Sequence, residues 1–264
     1  MLRAECGDQA AVLEGVPVSV PESSAAEPDW RERRRVTLQA SILRSAEKLI
    51  RDTGGTDFTM RNLADQADVA LATPYGLFGS KAAVLYALVE DCVREIDKQV
   101  DRLRLSDAIE QTLAVSRISA DLYGSDAALY RPLLRFLIGS HEPEHHPALF
   151  GRAMRLWDSA ITRGIELGTL LPKVRGEVME RQLLANFTGV LQYWMHGELD
   201  GAGFRNHVLF GTVLILIPHV PESLRPSLLQ RLAKLEKTLP KELLKPERPR
   251  RKKVSRRSEA DGVD

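Results

Sequence analysis

The side chains that could bind a metal or move a proton are three clustered histidines, His141, His145 and His146. Imidazoles are common metal ligands, but these three lie among prolines in a segment typical of a loop, with no cysteine nearby. The sequence also contains no nucleotide-binding glycine loop, GxSxG motif or HExxH motif. We therefore predict no metal, no cofactor and no catalytic residue, and we do not expect an enzyme. A metal sensor, which would retain stoichiometric zinc or nickel through purification, is the alternative.

The most distinctive pattern in the chain is the stretch from Phe58 to Leu85, FTMRNLADQADVALATPYGLFGSKAAVL. Thr59 is a good helix N-cap, and Phe58 and Leu63 are spaced for a hydrophobic staple across it. The helical pattern then breaks for a few residues and resumes over Leu71 to Leu77 for barely two turns, before a longer helix follows. This order predicts a helix-turn-helix, whose second helix lies in the major groove of DNA.

This stretch and the helix before it resemble the TetR family of bacterial transcriptional regulators. The matching positions are Ile42, Ala46, Leu49, Ile50, Gly54, Thr59, Arg61, Leu63, Ala64, Ala67, Val69, Thr73, Tyr75, Phe78, Lys81 and Leu85. They lie within the N-terminal part of the chain, and beyond it the family shares architecture far more than sequence. The resemblance implies an all-α fold, in which a three-helix helix-turn-helix head precedes a larger helical bundle that binds a ligand and dimerises.

The resemblance also implies roles for individual residues of the head. Thr59 and Arg61 open the first short helix, where a helix N-terminus and a guanidinium both favour a phosphate oxygen. Tyr75 and Lys81 match positions that usually contact the DNA backbone, and Thr73 matches one that meets phosphate or base. Such backbone contacts fix the register of the protein on the duplex rather than read its sequence. Val69 and Phe78 are expected in the core of the head.

The second short helix departs from the family pattern. The family often has glycine at position 68, a serine cap at 70 and polar groups at 71 and 76, where this chain has Asp68, Ala70, Leu71 and Gly76. The helix therefore offers almost no side-chain donors for bidentate readout of guanine or adenine. We hypothesise that Ala70, Leu71 and Ala72 contact thymine methyl groups.

The charge of the whole chain is nearly balanced, with 37 Lys and Arg against 36 Asp and Glu. Any affinity for DNA must therefore come from local clusters of charge. Arg33, Arg34 and Arg35 form such a cluster just before the predicted head, and we expect them to contact phosphates or the minor groove; a solvated helix start is the alternative. Cys6 and Cys92 form no CxxC motif, which argues against a disulfide framework or a zinc finger.

Beyond the head, apolar residues recur at helical spacing and no strand alternation occurs. The spacing predicts helices over about 81–103, 106–123, 126–139, 147–168, 178–196, 204–219 and 222–239. Val208 to Ile217 is apolar nearly all round, so this helix must be covered on every side. A partner subunit is the simplest cover, and a central helix fully buried in a monomer is the alternative. The family resemblance implies a homodimer through the helices near 178–196 and 204–219.

The composition divides the chain into four segments. Residues 1–30 predict a disordered leader, residues 31–82 the DNA-binding domain, residues 83–240 the regulatory and dimerisation domain, and residues 241–264 a basic disordered tail. The tail could attract DNA without sequence preference or have no role. The N-terminus lacks the pattern of a secretory signal, and no apolar run is long enough to span a bilayer. We therefore expect a cytoplasmic protein without membrane contact, associated with the nucleoid when bound to DNA.

These observations together predict a sequence-specific DNA-binding transcriptional regulator, a ligand-responsive repressor that acts as a homodimer on a near-palindromic operator in double-stranded DNA. The alternative is a DNA-binding architectural protein without a small-molecule effector. Members of the family usually bind the effector inside the body. The candidate pocket residues are the aromatic side chains at helical positions there, Tyr130, Phe136, Trp157, Phe187, Tyr193 and Trp194, although aromatic residues at such spacing are also what a core contains.

Overall fold

The computed structural model describes residues 27–140, 142–171 and 175–239, and every regular element within them is helical. His141, the predicted basic tail and all but the last few residues of the predicted leader lie outside these ranges. The chain divides into two compact units, residues 1–39 and 40–264. No helix in the described ranges has the length and apolar character needed to cross a membrane.

The first unit contains the N-terminal part of helix α1, Glu27–Thr53. This helix begins a few residues before the boundary predicted at residue 30. The three arginines Arg33, Arg34 and Arg35 lie within it and are exposed to solvent. Arg35 forms an ion pair with Glu32 one turn earlier, at 4.0 Å. The arginine cluster is therefore presented from a regular helix.

The head of the second unit consists of the C-terminal part of α1 with two short helices, α2 (Met60–Ala67) and α3 (Ala72–Phe78). α2 packs on α3, and α3 packs on the start of a long helix, α4 (Lys81–Arg102). The core of the head is built from apolar side chains of all these elements, namely Ile42, Ala46, Ile50, Phe58, Met60, Leu63, Ala64, Val84 and Leu85. The predicted order of helix, short helix, turn, short helix and long helix is confirmed.

The body is a bundle of α4 with the later helices. These are α5 (Ala108–Ser125), α6 (Ala127–Gly139), α7 (His146–Arg155), α8 (Asp158–Glu166), α9 (Gly176–Met195), α10 (Gly201–Leu216) with a 3₁₀ turn at Ile217–His219, and α11 (Arg225–Glu236). α10 lies at the centre of this bundle, packed on α5, α9 and α11. α5 also packs on α4 and α8, so the core of the body forms around α5 and α10.

The prediction of one helix over 147–168 is wrong, because the chain forms two helices, α7 and α8, that meet at Leu156 and Trp157. Here the backbone N–H of Trp157 bonds to the carbonyl of Met154, three residues back, at 3.2 Å. The indole of Trp157 is fully buried, and its Nε1 donates to Ser116 Oγ of α5 at 3.3 Å. The break between α7 and α8 thus coincides with the hydrogen bond from Trp157 to α5. No glycine or proline marks this break in the sequence.

The two helices with the strongest apolar character are not fully covered within one chain. On α10, Val208, Val213 and Leu216 are buried, but Leu214 is 47% exposed. On α9, Tyr193 is 46% exposed. Within the described residues the alternative of a central helix fully buried in a monomer is therefore wrong for α10.

Candidate nucleic-acid interface and body cavity

α2 begins with a capping box. Thr59 Oγ1 accepts from the backbone N–H of Asn62 at 3.1 Å, and Asn62 Oδ1 accepts from the backbone N–H of Thr59 at 2.9 Å. The Thr59 hydroxyl also donates to Asn62 Oδ1 at 2.7 Å, so its proton is already used within the head. Phe58 and Leu63 on either side of the cap are both buried, as a staple requires. Arg61 is the exposed cation at this helix end.

The turn between α2 and α3 depends on a left-handed residue. Asp68 has φ 54° and ψ 50°, and its N–H bonds back to the carbonyls of Ala64 and Asp65. The N–H of Val69 also bonds to the Ala64 carbonyl, at 3.0 Å. Glycine adopts this conformation without steric cost and aspartate tolerates it, so Asp68 can replace the glycine that the family often has. Val69 is half-buried rather than fully in the core, as is Phe78.

α3 is a seven-residue helix that begins after Leu71 without a side-chain cap. Pro74 occupies its third position and is buried. Backbone N–H groups of the first turn have no partner inside a helix, so the missing N–H of Pro74 removes no internal bond. The helix ends where the N–H of Gly79, with φ 79°, bonds to the carbonyl of Tyr75 at 2.8 Å.

The outward side of this segment is apolar. Ala70, Leu71, Ala72 and Tyr75, which we call the recognition surface, are exposed, with Leu71 at 39% and Tyr75 at 50%. Thr73 is half-buried. Exposed large apolar side chains grouped on one short helix are typical of an interaction site, and the Tyr75 phenol adds a hydrogen-bonding group at its edge.

Lys81 at the start of α4 is held within the head. Its ammonium donates to the carbonyl of Thr56 at 3.0 Å and lies 5.8 Å from the centre of the Phe58 ring. An ammonium has three donors, so this contact leaves donors for a further partner. Lys81 therefore joins α4 to the loop before α2 in addition to any contact with DNA.

The body contains a cavity of about 70 Å³ between α4, α5, α6, α7 and α9. Among the described residues, its wall includes no Asp, Glu, Lys, Arg or His side chain. The lining residues are Val89, Val93, Ile96, Ser119, Tyr123, Leu134, Leu137, Ile138, Leu149, Phe150, Ala153, Leu156, Trp157, Leu184, Phe187, Thr188 and Leu191. This wall is almost wholly apolar, so the cavity is suited to an apolar guest.

Two of the six aromatic residues predicted to line a pocket, Trp157 and Phe187, lie on this wall. The other four lie elsewhere. Tyr130 is buried edge-on against Tyr123, Trp194 is buried and stacked on Phe204, Phe136 is half-buried, and Tyr193 is exposed. The wall is mainly aliphatic. In the sequence, aliphatic residues that line a cavity have the same helical spacing as those that fill a core, so the wall could not be predicted.

Two serine hydroxyls of α5 near the cavity differ in their hydrogen bonds. Ser116 Oγ accepts from the Trp157 indole at 3.3 Å and from Thr212 Oγ1 at 2.9 Å, and it donates to the Thr112 carbonyl at 3.3 Å. Ser119, one turn later on α5, is 3% exposed, and its Oγ has no hydrogen-bond partner among the described residues. Nothing in the sequence distinguishes Ser119 from Ser116, so this group was missed.

The remaining candidates for chemistry are packed against aromatic side chains. His145 lies 5.2 Å from the ring of Tyr86, and His146 stacks on Phe150 at 4.1 Å. Within the described ranges, no group of three or more His, Cys, Asp or Glu side chains could hold a metal ion. The Cys92 Sγ lies 3.6 Å from the hydroxyl of Tyr130, and burial raises the pKa of this thiol to about 11. Cys92 is therefore protonated at neutral pH and a poor nucleophile.

A scan against protein-family models and a search of curated proteins gave no match. Solved structures do match. FadR from Thermus thermophilus, a TetR-family transcriptional repressor in complex with lauroyl-CoA, is 20% identical over 70% of this chain and 96% of its own, with a TM-score of 0.60. SmeT, the repressor of the Stenotrophomonas maltophilia multidrug efflux pump SmeDEF, is 22% identical over 70% of this chain and 91% of its own, with a TM-score of 0.56. A complex of SmeT with triclosan matches equally well.

Proposed function

The chain has the fold of the TetR-family regulators, and from this premise we propose that it is a cytoplasmic DNA-binding transcriptional regulator. The recognition surface carries the proposal. Leu71 directly before α3 and Tyr75 within it are large exposed side chains, while the buried Pro74 and the packing on α2 and α4 hold that helix in place. The major groove of DNA admits such a helix and offers thymine methyl groups to apolar side chains.

Affinity for DNA comes from the cations of the head. Arg61 is exposed at the start of α2, and Lys81 begins α4 directly after α3. Each phosphate that such a cation neutralises releases counterions, so these contacts add affinity that falls with salt. The exposed Arg33, Arg34 and Arg35 add a further positive cluster. Thr59, whose hydroxyl proton is bonded to Asn62, acts chiefly as the cap that fixes α2.

Sequence preference comes from apolar contacts. Ala70, Leu71 and Ala72 would contact thymine methyl groups, with Tyr75 reaching the DNA backbone and Thr73 a phosphate or a base. Selection from random DNA checks this directly. We expect a motif rich in A·T pairs, with two half-sites about one helical turn, roughly 34–36 Å, apart; a motif dominated by G·C positions would contradict the thymine-methyl hypothesis.

The regulator acts as a homodimer through α9 and α10. Leu214 of α10 and Tyr193 of α9 are each nearly half exposed, although Val208, Val213 and Leu216 of α10 are buried and the helix packs on α5, α9 and α11. A second copy of the chain would cover both side chains with the same surface. A two-fold dimer of this kind matches a near-palindromic operator, since each head meets one half-site.

The regulator responds to a ligand in the body and is most simply a repressor. α4 begins at Lys81 in the head and lines the cavity with Val89, Val93 and Ile96. A ligand that binds better when α4 is displaced would shift the population away from the DNA-binding arrangement. The FadR and SmeT structures contain lauroyl-CoA and triclosan respectively. An architectural protein without an effector needs no cavity. The cavity therefore favours a ligand-responsive regulator over the architectural alternative.

Footprinting on genomic fragments, including the region upstream of the protein's own gene, tests the proposal. We expect a discrete protected site with dyad symmetry, and weak, salt-sensitive protection of every sequence would instead favour the architectural alternative. Leu71→Glu should abolish protection. Leu103→Glu is the matched control, because Leu103 is 43% exposed but lies at the far end of α4.

A further inference from the structure

We propose that the body cavity binds a small uncharged compound through a hydrogen bond to Ser119. This inference rests on the proposed function, in which a compound bound in the body controls the head.

The wall of the cavity excludes charged ligands. Within the described part of the chain it contains no acidic or basic side chain, and its ionisable group, the Tyr123 phenol, stays neutral because burial raises its pKa. A carboxylate, phosphate or ammonium entering the cavity would lose its hydration without gaining an opposite charge, which is strongly unfavourable. An uncharged compound pays no such cost.

Ser119 provides a specific polar contact in this apolar wall. Its Oγ is buried and has no partner among the described residues, whereas Ser116 on the same helix is fully engaged by Trp157 and Thr212. The hydroxyl of Thr188, also on the wall, already donates to the carbonyl of Leu184. A buried hydroxyl without a partner is costly, so a ligand that supplies one is favoured over an apolar ligand of the same shape.

The cavity is small and must enlarge to hold even one ring. Its volume of about 70 Å³ is smaller than the roughly 150 Å³ cavity that is known to bind benzene in another protein. Ile138, Phe150 and Leu184 on the wall are only half-buried, so the cavity enlarges most easily where these side chains reach solvent. With this enlargement, a single aromatic or aliphatic ring with one hydroxyl or carbonyl group is the size of ligand that we expect.

Three probes with the same ring test the proposal, namely phenol, toluene and benzoate. Each is titrated into the full-length protein without DNA, by calorimetry and by the NMR signal of the Trp157 indole N–H. We expect phenol to bind roughly tenfold more tightly than toluene, as one buried hydrogen bond provides, and benzoate not to bind.

Ser119→Ala should remove the preference for phenol while leaving toluene binding unchanged. It should also raise the Tm of the unliganded protein, because it removes a buried hydroxyl without a partner. Thr188→Val is the matched control and should keep the preference, since the Thr188 hydroxyl is already bonded to Leu184.

Two results would overturn the inference: benzoate binding as tightly as phenol, or a preference for phenol that persists in Ser119→Ala. The same preparations are footprinted on DNA, which separates the two proposals. A discrete operator with no binding of any neutral ring compound overturns the cavity assignment alone. Ser119-dependent binding of phenol by a protein that protects no operator upholds the assignment and overturns the proposed function.

Discussion

The side chain of Asn186 on α9 occupies the space beside Gly211 on α10. A Cβ on Gly211 would lie 1.9 Å from Asn186 Oδ1, and Asn186 Nδ2 donates to the carbonyl of Val208 at 3.1 Å. Gly211 therefore sets how closely these two helices approach.

Gly211→Ala should lower the free energy of unfolding by about 1–2 kcal/mol, because it displaces Asn186 and leaves its amide unpaired. Urea denaturation measures this change. Gly76→Ala is the control, since a Cβ at Gly76 meets no atom within 4 Å and alanine normally stabilises a helix by about 0.5–1 kcal/mol over glycine. Equal stability of the two variants would show that Asn186 does not constrain α10.

Arg61→Ala should weaken DNA binding at every sequence and reduce the slope of log K against log salt by about 1, as expected for one phosphate contact. The side chain is exposed, so the free energy of unfolding should not change. Arg231→Ala is the matched control, because Arg231 pairs with Glu110 in the body. An unchanged salt slope would remove Arg61 from the interface.

Lys81→Ala should differ from Arg61→Ala in its effect on stability. The substitution removes the hydrogen bond to the Thr56 carbonyl as well as a phosphate contact. We expect weaker DNA binding together with a loss of about 1 kcal/mol in unfolding free energy, measured by fluorescence anisotropy and urea denaturation. Weaker binding without any loss of stability would mean that the Thr56 contact contributes nothing.

Leu214→Glu should convert the proposed dimer to monomers at micromolar concentration, since it would bury two unpaired charges against the two-fold partner. Size-exclusion chromatography with light scattering gives the mass directly. Leu167→Glu should remain dimeric, because Leu167 is 58% exposed but lies after α8. A dimer that survives Leu214→Glu would place the interface elsewhere.

Glu180→Gln should stabilise the protein at pH 7. Burial, followed by the nearby Asp158 and Glu177, raises the pKa of Glu180 in the folded state. The folded protein therefore binds this proton more readily than the unfolded chain, and stability falls as pH rises through the raised pKa.

The advantage of Glu180→Gln should accordingly disappear as the pH falls below about 4, where the carboxyl is protonated in both states. Thermal unfolding at pH 4 and pH 7 checks the difference. Glu166→Gln, at an exposed position of α8, is the control for the substitution itself.

The head could be predicted from sequence because its rules are local. The Thr59 cap, the staple residues Phe58 and Leu63 and the turn before α3 each depend on neighbours within a few positions. Even Asp68, which departs from the family pattern, adopts the left-handed conformation that a glycine would adopt there.

The body was predicted less completely because its details depend on contacts between distant segments. The break between α7 and α8 accompanies the bond from Trp157 to Ser116, 41 positions away. Helix packing decides which aromatic residues line the cavity. The sequence therefore predicted Trp157 and Phe187 correctly, but it also predicted Tyr193 and Trp194, which do not line this cavity. The sequence gives no indication that the hydroxyl of Ser119 is buried without a hydrogen-bond partner.

One continuous helix, α4, connects the hydrogen bond at Lys81 to the cavity wall at Val93. These positions lie about 18 Å apart along the helix axis, so a tilt of about 5° would displace one relative to the other by about 1.6 Å across that axis. Such a displacement exceeds what a hydrogen bond tolerates. α4 thus connects the cavity wall to the head, and a tilt of this helix would couple the proposed ligand in the body to the contact between Lys81 and Thr56.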